Sequence, residues 1–367
     1  MSILKAQMND NTWILGYGYS KYKPILGLTK LTFDDGSLIM DTIKNLGFNY
    51  CHNHSGFSDN SGHLITSFDG KNLMNNRYEF MENGQEVNKE IIKDYYYLSS
   101  ESISQGSIML SWPGHPDSIL MFYSSWVLFE APDGGADIAS YGINTVVINT
   151  KAHNGLGKVV LRDNSFIKDT IQYGRLNAVR HANGRDWWML ISERDSPRFY
   201  TILIDPQGPR ITGQQTVNHP FRDGVGQCAF SPDGSRFIVF NPVDFKPDGA
   251  DFAIFDFDRC TGLLSNQHHF ITTGNFGGTA ISPNGRYAYH NVLDTAWRYD
   301  LQAPDVWASR ELIAVYDKFK GPFSTYFYLM QLAPDGKIYS SAPNGVNYLH
   351  VIHQPDEADC QYQQHGI

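Results

Sequence analysis

Residues able to hold metals or move protons gather at three places in this sequence. Cys51-His52-Asn53-His54 sets two histidines two residues apart. On a strand that spacing turns both imidazoles to one face, as a zinc site requires. No second His, Asp or Glu pair stands close by in sequence, so a polar strand lining a channel is the preferred reading. Asp244, Asp248 and Asp251 crowd a Pro- and Gly-rich loop. Oxygen ligands at such spacing suit calcium, but the order is not that of an EF-hand, and a solvated loop is expected. His268-His269 precedes Thr273-Gly274-Asn275-Phe276-Gly277-Gly278. Without a Gly-Lys-Ser/Thr ending this is no phosphate loop and reads as a connection. A Gly-x-Ser-x-Gly elbow, which would carry a serine nucleophile, is missing. No metal, cofactor or catalytic residue is therefore assigned. Trp187-Trp188 resembles a carbohydrate platform, yet neighbours on a strand point to opposite faces, so packing on two sides is expected.

The elements that would position such residues are strands. Ser231-Pro232-Asp233-Gly234, Ser282-Pro283-Asn284-Gly285 and Ala333-Pro334-Asp335-Gly336 each join two apolar runs, and their glycines are 51 residues apart in both intervals. Similar turns fall near residues 62, 117 and 184. Repeats with a second hairpin follow, as at Arg259-Cys260-Thr261-Gly262, Asp205-Pro206-Gln207-Gly208 and Asn154-Gly155. Gly and Asn tolerate the positive φ of tight turns and Pro presets the first corner. Four strands and two tight turns per repeat make a β-propeller blade. The length of 367 residues divided by the interval gives about seven. The expectation is an all-β, seven-bladed β-propeller of four-stranded antiparallel blades, forming a single domain over 1–367. In it, 1–49 supply strands to a closing blade shared with the C-terminal end, and 50–367 form six blades. A short helical insertion is expected around Met81–Leu98, where Glu, Gln and Lys cluster.

Composition agrees. Aromatic residues make up 14% and charged residues 18%, as in a folded, strand-rich chain. A formal charge of −9 offers no bulk attraction to nucleic acid or an anionic membrane. No apolar window is long enough to span a bilayer, so no membrane insertion is expected. Cys51, Cys228, Cys260 and Cys360 are widely spaced, with no Cys-x-x-Cys. Buried free thiols are expected, with up to two disulfides left open.

Several longer runs carry a family resemblance. They include Ser58-Asp59-Asn60-Ser61-Gly62-His63-Leu64, Arg180-His181-Ala182-Asn183-Gly184-Arg185-Asp186-Trp187-Trp188, the run from Phe255 to Asn266, and Gln364-His365-Gly366-Ile367. With these, the chain resembles the seven-bladed propeller module of Bacteroidetes cell-surface proteins exported by the type IX secretion system, of the gliding-motility-associated or PKD-containing kind. The resemblance covers roughly 50–367. It implies an extracellular or cell-surface location and a role in display, adhesion or ligand capture. Such proteins begin with a signal peptide, which is not visible here, and continue past Gln-His-Gly-Ile. The resemblance thus implies a piece of a larger multidomain protein, acting as a monomer.

Short turns leave no room for a site, so the binding surface is expected on the opposite face. Loops between the second and third strands, and between blades, meet there. His219, Arg222, Asp223, Asn241, Phe276, His290, Asn291, Tyr326 and Tyr328 are the expected contacts, as hydrogen-bonding groups, charges and aromatic platforms. His290 and Asn291 lead this set. The expected partner is a surface glycan or a protein. The rival expectation is a lactonase-like or glycan-cleaving propeller enzyme with scattered polar residues at the channel mouth.

Overall fold

Each turn of the 51-residue beat is built by the same local chemistry. Gly234, Gly285 and Gly336 hold φ of +72°, +74° and +80°, which glycine adopts without a Cβ penalty. The side chain before each glycine accepts from the amide two residues further on, at 3.0 Å for Asp233, 2.8 Å for Asn284 and 3.1 Å for Asp335. These side-chain turns fix where one strand stops and the next begins.

In the computed structural model the described residues are 8–17, 27–34, 36–43, 48–50, 53–88, 104–130, 136–172, 174–221, 226–242, 249–272, 274 and 276–367. Their strands form seven antiparallel sheets arranged as a seven-bladed β-propeller. Blade 1 holds β1 (Thr12–Tyr17), β2 (Leu28–Asp34), β3 (Ser37–Ile43) and β4 (Asn49–Tyr50). Blade 2 holds β5 (Ser55–Ser58), β6 (Leu64–Phe68) and β7 (Leu73–Asn75). Blade 3 holds β8 (Ser107–Ser111), β9 (Ser118–Glu130), β10 (Ala136–Asn149) and β11 (Lys158–Ile171). Blade 4 holds β12 (Ala178–Arg180), β13 (Trp187–Ser192), β14 (Ser196–Asp205) and β15 (Gly208–Phe221). Blade 5 holds β16 (Gln227–Phe230), β17 (Arg236–Pro242), β18 (Ala250–Asp258) and β19 (Leu263–Thr272). Blade 6 holds β20 (Thr279–Ile281), β21 (Tyr287–Val292), β22 (Thr295–Asp300) and β23 (Glu311–Val315). Blade 7 holds β24 (Met330–Leu332), β25 (Ile338–Ser340), β26 (His350–Ile352) and β27 (Tyr362–Gln363).

Three expectations are revised. Among the described residues the closing blade is not shared. β1 to β4 pair only with one another, and β24 to β27 likewise. Asn49–Tyr50 takes the inner edge of β1. The ring is instead closed by side chains: Leu31 and Phe33 of blade 1 pack on Ala333, Tyr339 and Val351 of blade 7. Among the described residues blade 2 has three strands, continued outward by a single bridge between Met74 and Phe80. The segment after it turns at once, because Asn75 Oδ1 accepts from the amides of Arg77 and Glu79. No helix forms over 81–88, and the rest of the expected insertion lies outside the described residues.

The core lies between blades. The second strand of blade 4 is covered on both faces, so all six residues of Trp187–Ser192 are buried. Such strands read as unbroken apolar runs rather than alternation. Trp187 packs towards blade 3 and Trp188 towards blade 5, as expected, and each indole donates to a neighbouring carbonyl at 3.1 and 2.9 Å. Cys228 and Cys360 are buried free thiols, whereas Cys260 is free and exposed. Burial pushes the Cys228 thiol up to about 12. Cys51 lies outside the described residues. Among the described residues no helix is long and apolar enough to cross a membrane.

Candidate functional site: the channel mouth of the open face

The tight turns occupy one face of the ring, and the segments leading into each innermost strand reach the channel at the other. Ser104-Gln105-Gly106 leads into β8, Gly174–Asn177 into β12, Gly277-Gly278 into β20 and Tyr328-Leu329 into β24. These segments tie the mouth together across the ring. The Gln105 amide pairs with the main chain of Cys228 two blades away, accepting from its N–H at 2.9 Å and donating to its carbonyl at 3.0 Å. Gln227 does the same to Met330, at 2.9 and 2.5 Å, and also accepts from Thr279 N at 3.0 Å. Each glutamine thus stands in for a peptide unit. Gly278 leaves the room: a Cβ there would lie 2.4 Å from Gln227 Oε1 and 2.6 Å from Met330 N. Ser104 Oγ and Tyr328 Oη meet at 3.0 Å, linking blades 3 and 7. The half-buried rings of Tyr328 and Phe276 lie edge to face, with centroids 6.4 Å apart.

A line of polar groups runs outward from this mouth along blade 5. Arg175 is 4% exposed and donates to Asn241 Oδ1. Asn241 Nδ2 reaches Asp251 at 3.5 Å, and Asp251 Oδ1 lies 3.1 Å from His269 Nε2. The His269 ring stacks on exposed His219 with centroids 4.7 Å apart. Gln105 and Arg175 hold φ of +51° and +58°. Such strain in residues with a Cβ persists where the surroundings impose it and collects at ligand sites.

A second cluster sits on the open face of blades 6 and 7. His365 Nε2 meets Thr325 Oγ1 at 2.8 Å, and its Nδ1 lies 3.6 Å from Asp317. Buried His350 contacts the Thr325 carbonyl at 2.8 Å. Burial lowers its imidazole from 6.5 to about 4. Carboxylate, imidazole and hydroxyl are in line, but Thr325 is fully buried, which keeps substrate from its hydroxyl.

The structure divides the expected contacts. Phe276 and Tyr328 meet at the mouth, and His219 ends the polar line. Tyr326 lies apart, packed on Tyr316 at 4.7 Å. Arg222, Asp223 and His52 lie outside the described residues, as do Asp244 and Asp248. Asn241, His290 and Asn291 are fully buried, which corrects their assignment as surface contacts. All three end a second strand, both faces of which are covered. Asn291 accepts from Gly278 N at 2.9 Å and donates to Ser340 at 2.9 Å. Asp251 lies on β18 rather than in a loop, and His269 engages its carboxylate. Among the described residues no group of three or more His, Cys, Asp or Glu is placed to hold a metal ion. Sequence reasoning missed Gln105, Arg175 and Gln227. The glycine beside each of them, just before an innermost strand, is the signal that marks them.

No protein-family model matches the chain, and no curated protein does. Solved structures are similar in fold. A putative 6-phosphogluconolactonase from Bacteroides uniformis ATCC 8492 superposes with a TM-score of 0.50 at 10% identity, over 96% of this chain and 94% of that one. A protein from Lactobacillus plantarum gives 0.49 at 13% identity, over 96% and 94%. An oligogalacturonate lyase in complex with manganese gives 0.47 at 12% identity, over 94% and 86%. At such identities the likeness is one of fold, the β-propeller.

Proposed function

We propose that this chain is a ligand-capture module that binds a surface glycan or protein at the channel mouth of its open face, without turning it over. The observation that carries the reading is the Phe276–Tyr328 pair, set over a mouth already laced by Gln105 and Gln227. An aromatic platform on a rigid polar frame binds with little loss of side-chain freedom. His219 extends the surface outward. Display at a bacterial cell surface belongs to the proposal and rests on the family resemblance.

The test is a screen of immobilised glycans and surface proteins with the wild-type chain and Phe276→Ala. Capture that falls at least about tenfold in the variant, with an unchanged melting temperature, supports the reading. Capture that survives the substitution removes the mouth as the site.

A second reading, an enzyme, is favoured by the Asp251–His269 pair. A carboxylate 3.1 Å from an imidazole is the unit that general acid–base catalysis uses. Lactone turnover that disappears in His269→Ala would replace the capture reading with this one.

A further inference from the structure

We propose that the outer groove between blades 5 and 6 is a second ligand site, separate from the channel mouth, and that it takes a neutral saccharide. The groove holds about 360 Å³, within the range of about 300–1,000 Å³ for small-molecule sites. Arg236, Asp256, Asn266 and His268 line it over an aliphatic floor that includes Ile254 and Leu301.

A β-bulge builds it. Between β18 and β19 the register passes from Ile254 opposite His268 to Asp256 opposite Ser265. Asn266, in the extra segment, holds φ +49°. Bulges re-aim side chains, and left-handed non-glycine residues concentrate where function holds them. Asn266 and His268 both line the groove.

The charges choose the ligand class. Arg236 pairs with Asp256 Oδ1, and Asn266 donates to Asp256 Oδ2 at 2.5 Å. Cation and anion satisfy one another, so neither an anionic nor a cationic ligand gains a free counter-charge. What remains is a fan of planar donors and acceptors above an apolar floor. Hydroxyl edges and C–H faces in one molecule match it, and that combination is a sugar. Beside the groove, the ring of Phe270 stacks on that of His268 with centroids 6.5 Å apart, and on Trp307 at 4.9 Å.

The experiment titrates the full chain calorimetrically with cellotriose, maltotriose and chitotriose, and repeats each titration with Ala303→Arg, His268→Ala and Tyr328→Ala. Ala303 also lines the groove, so arginine there fills it. His268 is exposed, so its alanine variant serves if Ala303→Arg fails to fold. The expected result is millimolar or tighter binding of at least one trisaccharide, about tenfold weaker in Ala303→Arg or His268→Ala and unchanged in Tyr328→Ala. No heat with any of the three overturns the proposal. So does binding that only Tyr328→Ala weakens, which would move the sugar to the channel mouth and support the capture reading instead. Trigalacturonate is titrated alongside, and groove binding by it in place of the neutral sugars also overturns the proposal.

Discussion

His290 has Phe240, Phe252 and Tyr299 around it, with ring centroids 5.1, 5.2 and 5.4 Å away. Burial lowers its imidazole from 6.5 to about 3, and Arg310 adds repulsion. The ring is neutral in the fold but able to charge in the unfolded chain. Its contribution is therefore complete above pH 6.5 and lost as pH falls towards 3, by about 1.4 kcal/mol per pH unit. His290→Leu, of similar volume, should flatten this acid limb. Urea midpoints at about pH 7 and pH 5 will show a smaller fall in the variant than in the wild type; equal falls contradict the burial argument. From the sequence, His290 looked like a contact because strand ends and loops carry the same residues. Its strand position decided otherwise. Phe276 was legible because its glycine-rich segment, Thr273 to Gly278, contains no continuous apolar run. Gln105 and Gln227 were not, since each acts on a blade remote in sequence: Gln105 and its partner Cys228 are 123 residues apart, and Gln227 and Met330 are 103.

At the scale of elements, the turns were legible and the spaces around them were not. A Cβ at Gly336 meets open space, whereas one at Gly234 would lie 2.5 Å from Arg259 Cδ and 2.6 Å from Val179 Cγ2. Gly336→Ala should therefore carry only the left-handed backbone penalty, about 1–2 kcal/mol. Gly234→Ala must also displace blade 4 and should lose about 1 kcal/mol more. Denaturant midpoints compare the two directly, and equal losses would mean that the contact with blade 4 yields freely. Blade 2 escaped the pattern for a local reason. The asparagine turn at Asn75 ends its third strand, an effect that apolar periodicity does not register.

For the whole molecule, the number of blades followed from the repeat, but the closure did not. A strand shared by both ends and a packed seam leave the same mark in one sequence, because either way apolar runs stand at both termini. In the structure Trp13 lies 4.8 Å from Phe33 and 5.9 Å from Tyr339, so the seam is aromatic. Phe33 is 2% exposed, and Phe33→Ala should destabilise the ring by about 3–5 kcal/mol. Ile39, at 46% exposure on the outer strand, should tolerate alanine within about 0.5 kcal/mol. Urea melts of both variants check the pair, and a small loss for Phe33→Ala would show that the ring is held elsewhere. The same ring brings Ser104 to Tyr328 across 224 residues of sequence, and the proposed capture depends on that meeting. The most direct measurement is the dissociation constant of the wild-type chain and of Tyr328→Ala for the strongest ligand from the glycan and protein screen. The account predicts affinity at least about tenfold weaker in the variant, with the melting temperature held. Equal affinity in the two proteins would contradict it.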